Sequence, residues 1–239
     1  MKKRCIILNH ATVRIMMFLI LGLIATSSHA ARSVREIMKT EVTDISSLYT
    51  FYTNHNSSYE RRYFLKYLPD YLIKFGISEI PEWVTNAFDD ALDSDYVPLA
   101  IAAAKSIGAL KLDSFSDKMT ERFITSEKKA YLSLSYRIAV LEAFKRFDNS
   151  EKVKGNVSRL LKNFPQERVF DPDFTELMEV AILFCVKSDM VMLSRFENRI
   201  ATMPETQAPD ERRNPDLERI KGLLQRVKRS LALKGGHDE

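Results

Sequence analysis

The sequence predicts an all-α fold, a right-handed α-solenoid of about five antiparallel helix pairs, on three observations. First, apolar residues recur at helical spacing over most of the chain from residue 34 onward. Second, glycine is scarce, seven in 239 residues, and the hairpin dipeptides Asn-Gly and Asp-Gly are absent, which counts against a β fold. Third, a small-residue pattern repeats. Ala139-Val140-Leu141-Glu142-Ala143-Phe144-Lys145 lies on Ala181-Ile182-Leu183-Phe184-Cys185-Val186-Lys187 at an offset of 42. At an offset of 37 in the other direction, Ala102, Ser106 and Ile107 lie on Ala139, Ala143 and Phe144. Small residues let neighbouring helices approach closely, and helix pairs that cannot bury an apolar face alone stack on one another.

The elements follow in order. Ser33-Val34-Arg35-Glu36 is a capping box that opens one helix, with Val34, Ile37, Met38, Val42, Ile45, Leu48 and Tyr52 on its face, ended at Asn54–Asn56. Ser57-Ser58-Tyr59-Glu60 is a second box and opens a helix toward Gly76, which Pro69 should kink or break. Pro81 opens a third, and Asp93-Ser94-Asp95 turns into a fourth that runs to about Leu112. Further helices are expected from about 115, over 131–147, 151–163, 174–187 and 190–201. Residues 202–214, with Pro204 and Pro209, read as a linker. Asn214-Pro215 then opens a last helix with Leu217, Ile220, Leu224, Val227 and Leu231 on one side. The pairs are therefore 34–75, 81–110, 114–147, 150–187 and 190–234.

The N-terminal 30 residues read as a cleavable export signal. Lys2, Lys3, Arg4 and Arg14 precede the apolar run 15–25, and Ser28-His29-Ala30 sets small residues for cleavage between Ala30 and Ala31. The run of 11 residues is too short to span a bilayer as a helix, which takes about 20. The expectation is one domain, 31–239, in the periplasm or extracellular space, without a transmembrane span and monomeric. Removing the signal also removes the charge excess. The chain carries 36 Lys and Arg against 32 Asp and Glu; residues 1–30 hold four of the bases and no acid, leaving 32 of each. That balance gives no support to a nucleic-acid partner. Only Cys185 remains, inside an apolar run, so it reads as a buried small hydrophobe with no internal disulfide to form.

The stretch from Ala91 to Leu110, with Asp93-Ser94-Asp95 and Ala100-Ile101-Ala102-Ala103-Ala104, resembles the HEAT-repeat family: end of one helix, Asp-rich turn, alanine-bearing second helix. Tyr136-Arg137-Ile138-Ala139-Val140-Leu141-Glu142-Ala143-Phe144 resembles a second such helix, with Arg137 where the family often has an arginine. The resemblance covers about 81–147 and, more weakly, 150–201. Pro98-Leu99 stands near where that arginine would fall in the first copy, and no basic residue precedes Ala181. The family implies a curved stack of helix pairs that usually binds other proteins and rarely catalyses.

Chemistry-bearing residues are sparse. After the signal only His55 and His237 remain, neither near a cysteine or a second histidine, so no metal site, cofactor or catalytic triad is expected. Asp89, Asp90, Asp93 and Asp95 cluster without the Gly and terminal Glu of a calcium loop, and read as a solvated turn with Asp95 as N-cap. Tyr59, Tyr63, Tyr67 and Tyr71 recur every four residues with Arg62 among them, a stripe suited to an interface or a sugar, or to packing within the first repeat. These residues and Arg137 are the candidate interaction surface. The basic face of the last helix (215–234) suits either a solvated capping helix or a membrane surface. The expected function is a non-enzymatic scaffold or adaptor that binds another protein of the cell envelope. The alternatives are a glycan-binding helical module built on the Tyr stripe, and a hydrolase or lyase using dispersed carboxylates.

Overall fold

The computed structural model describes residues 34–126, 130–202 and 214–234. The export-signal expectation with Ala30 and Ala31, the Ser33 cap, His237 and the body of the 202–214 linker lie outside them. The described residues form eleven α-helices and no strand. They are α1 (Val34–Glu41), α2 (Ile45–Asn54), α3 (Ser58–Lys74), α4 (Glu82–Asp93), α5 (Val97–Ala109), α6 (Ser116–Thr125), α7 (Ala130–Phe144), α8 (Glu151–Asn163), α9 (Pro172–Phe184), α10 (Met190–Ala201) and α11 (Asn214–Lys234). None is long and apolar enough to cross a membrane.

The first expected helix is two. Asp44 stops it: its Oδ1 accepts from the Ser47 amide (2.7 Å), and Ser47 Oγ accepts from the Asp44 amide (3.0 Å). This reciprocal cap satisfies amides that an unbroken helix would have paired. Ser57 caps α3 as expected, its Oγ accepting from the Glu60 amide (3.2 Å). Pro69 does not break α3, which runs on to Lys74. A proline at 69 removes the amide that would bond the Leu65 carbonyl. Ser106 Oγ, on α5, donates to that carbonyl at 2.6 Å in a buried setting, so the orphaned acceptor is satisfied by a neighbouring helix.

Helices pack in chain order in two rows. α3, α5, α7, α9 and α11 lie each against the next, and α4, α6, α8 and α10 do the same beside them. Within each successive pair, α4 meets α5, α6 meets α7, α8 meets α9 and α10 meets α11. Trp83 of α4 stacks with Tyr49 and Tyr52 of α2 at 5.4 and 5.6 Å, which brings α2 to the head of the second row.

Composition explains which row a helix joins. α4 buries Val84, Ala87, Phe88, Ala91 and Leu92, one stripe of an amphipathic helix. α5 buries Leu99, Ala100, Ala102, Ala103, Ala104, Ser106, Ile107 and Gly108, because it is covered on several sides. α5 and α7 approach closely: a Cβ added to Gly108 would sit 2.6 Å from Ala143 Cα. Ala102, Ser106, Ala139 and Ala143, the small residues of the repeat, are all buried; Ser106 turns toward α3, and Ala143 meets Gly108. α3 and α5 close with the same motif. Gly76 (φ +65°) follows α3, with Ile77 N–H bonded to the Leu72 carbonyl (3.0 Å). Lys111 (φ +54°) follows α5, with Leu112 N–H bonded to the Ile107 carbonyl (3.0 Å).

Candidate functional site

The candidate site is a groove between α3 and α5. One row of α3, Arg62, Lys66, Pro69 and Asp70, faces Pro98, Ile101, Ala102, Lys105 and Ala109 of α5 across a volume of about 480 Å³. Its hollow has a plain cause. Ala102, Ala109 and two prolines put little bulk between two helix axes that Ser106 and Leu65 hold together. The floor is apolar and the rim is charged, with three bases to one acid. Lys66 and Asp70 are exposed, and Lys105 reaches Glu142 of α7 at 3.1 Å while remaining mostly open to solvent. An exposed pair of that kind holds its lysine weakly.

The Tyr stripe divides. Tyr59 is 55% exposed and meets Tyr63 edge-on at 4.9 Å. Tyr59 OH donates to Tyr63 OH (3.4 Å), which pushes the Tyr59 hydroxyl up and the Tyr63 hydroxyl down from their ordinary values. Arg62 sits over both rings, 4.7 Å from Tyr63 and 5.9 Å from Tyr59. Tyr67 and Tyr71 instead pack against the core, Tyr67 under Arg35 of α1 at 5.7 Å. Burial pushes the Tyr71 hydroxyl up. The four rings thus form no continuous flat shelf, and Arg62 alone of the expected residues lines the groove. Lys66, Asp70, Ile101 and Lys105 were not singled out in the sequence. The signal for two of them was Arg62-x-x-x-Lys66-x-x-x-Asp70, a row one residue over from the tyrosines.

Arg137 is not part of any surface. Its side chain is 5% exposed, and its Nε donates to Asp173 Oδ2 at 2.6 Å. Arg168 joins, donating from Nη2 to the same oxygen and from Nε to Asp171 Oδ2, both at 2.6 Å. Asp173 lies in the first turn of α9, where the helix dipole also favours a carboxylate. The cluster is a structural tie between α7 and α9.

Two members of the aspartate cluster are likewise tied down. Lys118 of α6 donates to Asp89 Oδ1 and Asp93 Oδ2, both at 2.8 Å. Burial lowers the Lys118 ammonium, but these two bonds outweigh it, and its pKa is raised overall. Asp95 is not the cap of α5. The N-cap position is Tyr96, whose amide donates to Ser94 Oγ at 3.1 Å. His55 closes α2, stacked on Phe51 at 3.9 Å with Nδ1 2.9 Å from the Phe51 carbonyl. Cys185 is buried. Among the described residues no group of three or more His, Cys, Asp or Glu side chains is placed to hold a metal ion.

The last helix spends its apolar stripe inside the molecule. Ile220, Leu223, Leu224, Val227 and Leu231 are buried, and α11 packs on α9 and α10. Lys228 pairs with Glu197 and Arg219 with Glu179. These residues of the stripe pack against the protein itself, while Leu233 near the helix end is 75% exposed. Comparison with protein-family models, with curated proteins and with solved structures finds no match for the chain.

Proposed function

We propose that the protein is a non-enzymatic interaction scaffold of the cell envelope: an exported, monomeric, right-handed HEAT-like α-solenoid that holds another protein in the α3–α5 groove. The partner presents an acidic, extended segment with apolar side chains. Chain-order packing in two rows supports the repeat reading, together with the close approach of Gly108 to Ala143 between α5 and α7. The observation that carries the binding reading is the groove itself, with Pro69, Ile101 and Ala102 below and Arg62, Lys66 and Lys105 around the edge. Apolar side chains in such a floor supply most of the affinity, while the rim supplies orientation and steering.

The test is affinity capture from the native envelope with the wild-type protein and with Lys66→Glu combined with Arg62→Glu. The reading expects a partner whose capture falls with added salt and is lost in the charge-reversed protein. A partner retained equally by both proteins would place binding elsewhere.

A further inference from the structure

A second cavity, of about 280 Å³, lies where α2, α3, α4 and the start of α5 meet. It uses a different face of α3 from the groove: Ser58, Arg61 and Leu65 rather than Arg62, Lys66 and Pro69. Its floor is apolar, made by the buried Leu65, Ala87, Ala91 and Leu99. Its walls carry opposite charges that do not neutralise each other.

Arg61 supplies the positive wall. Nη2 donates to Asn56 Oδ1 (2.9 Å), the guanidinium stacks over the Tyr52 ring at 5.1 Å, and the buried Nε has no hydrogen-bond partner. No carboxylate pairs with it among the described residues. Ser58, in the first turn of α3, adds the positive end of that helix. Asp90 supplies the negative wall and has no ion pair among the described residues. Asp93, also on the wall, is already bound by Lys118 (2.8 Å), and the Ser94 carbonyl by Arg122 (2.6 Å). The Tyr52 side chain also lines the cavity, and its hydroxyl feels both charges. Burial pushes its pKa up, Arg61 opposes this and Asp90 adds to it.

We infer that this cavity binds a small zwitterion: a carboxylate against Arg61 and the α3 N-terminus, an ammonium against Asp90, and a short apolar body on the floor. A simple anion would face Asp90, a simple cation would face Arg61, and a neutral molecule would leave both charges unanswered. The volume falls below the roughly 300–1,000 Å³ of drug-sized sites, which sets the ligand at a single amino acid or a dipeptide.

The test is calorimetric titration of the purified protein with L-leucine, with glycyl-L-leucine and with N-acetyl-L-leucinamide. Binding of either zwitterion and not of the blocked amide supports the site. Tighter binding of leucine assigns it to free amino acids, and tighter binding of the dipeptide assigns it to peptides. Asp90→Asn, at an exposed position, and Arg61→Gln should each weaken binding by about tenfold or more, the worth of one charge-assisted hydrogen bond. Heat from neither zwitterion, equal heat from the blocked amide, or an Asp90→Asn protein of unchanged affinity would overturn the inference. Neither result bears on the groove, whose test uses other residues.

Discussion

Replacing Gly108 by alanine adds one methyl group at a close contact between α5 and α7. Gly108 has helical backbone angles, so in isolation the change should favour α5 by about 0.8–1.0 kcal/mol. The structure reverses the sign. The new Cβ would stand 2.6 Å from Ala143 Cα and 2.7 Å from Ala143 Cβ. Carbon atoms want roughly 3.5–4.0 Å, and a backbone atom cannot rotate away, so α5 and α7 must part by about 1 Å. That opens the packing around Ala103, Ile107, Val140 and Phe144, all fully buried. Overpacking of this kind costs about 1–3 kcal/mol, and subtracting the helix gain leaves a net loss of up to about 2 kcal/mol. Gly155 is the control, since it lies inside α8 with nothing within 4 Å of its would-be Cβ. Gly155→Ala should stabilise by about 0.5–1 kcal/mol. Urea unfolding followed by far-UV circular dichroism measures both, with an unchanged slope showing that the native state is what moved. A Gly108→Ala protein stabilised as much as the Gly155→Ala control would refute the close approach of α5 and α7.

The remaining predictions concern polar contacts. Ser106→Ala leaves the Leu65 carbonyl without its partner beneath Pro69 and should cost about 1–3 kcal/mol in the same assay. Pro69→Ala restores the missing amide, so the double variant should lose much less than Ser106→Ala alone. Arg137→Leu strips Asp173 of one of its two arginines and should cost about 3 kcal/mol, the low end for breaking a buried pair, because Arg168 still reaches the carboxylate. Asp117 makes a pH prediction. A hydrogen bond from Asn156, with help from Lys152, holds its carboxyl below the ordinary 3.8. Its folded-state value is thus lower than its unfolded one, so its stabilisation is complete above about pH 5 and fades as pH falls through the folded-state value. Asp117→Asn should flatten, without abolishing, the loss of stability on acidification, since Asp44 is also held low by its Ser47 bonds.

Much of the helical framework was legible because it is written locally. The Ser57 cap, the stripe of α11 and the small residues at 102, 106, 139 and 143 are short-range patterns, and the helices stand near where those patterns put them. The exceptions share one physical origin. Val42, Ile45 and Leu48 keep helical spacing across the break at Asp44, so periodicity alone hides the turn. Pro69 reads as a breaker because its rescuer, Ser106, lies 41 residues beyond the orphaned Leu65 carbonyl. Arg137 reads as surface because its partner, Asp173, is 36 residues away. A four-residue repeat of tyrosine marks a face, but only packing on α1 decides that Tyr67 turns inward. The groove was the least visible feature, because it is made by missing bulk at Ala102 and Ala109 on one helix opposite charge on another.

The central claim is that the α3–α5 groove holds an acidic segment of a partner, and site-specific photo-crosslinking tests it most directly. A photoreactive residue at Ile101, on the groove floor, is compared with one at Val191, 65% exposed on α10. The account predicts a single partner adduct from position 101, none from 191, and a crosslinked peptide rich in Asp and Glu. Equal adducts from both positions, no adduct from 101, or a basic crosslinked peptide would contradict it.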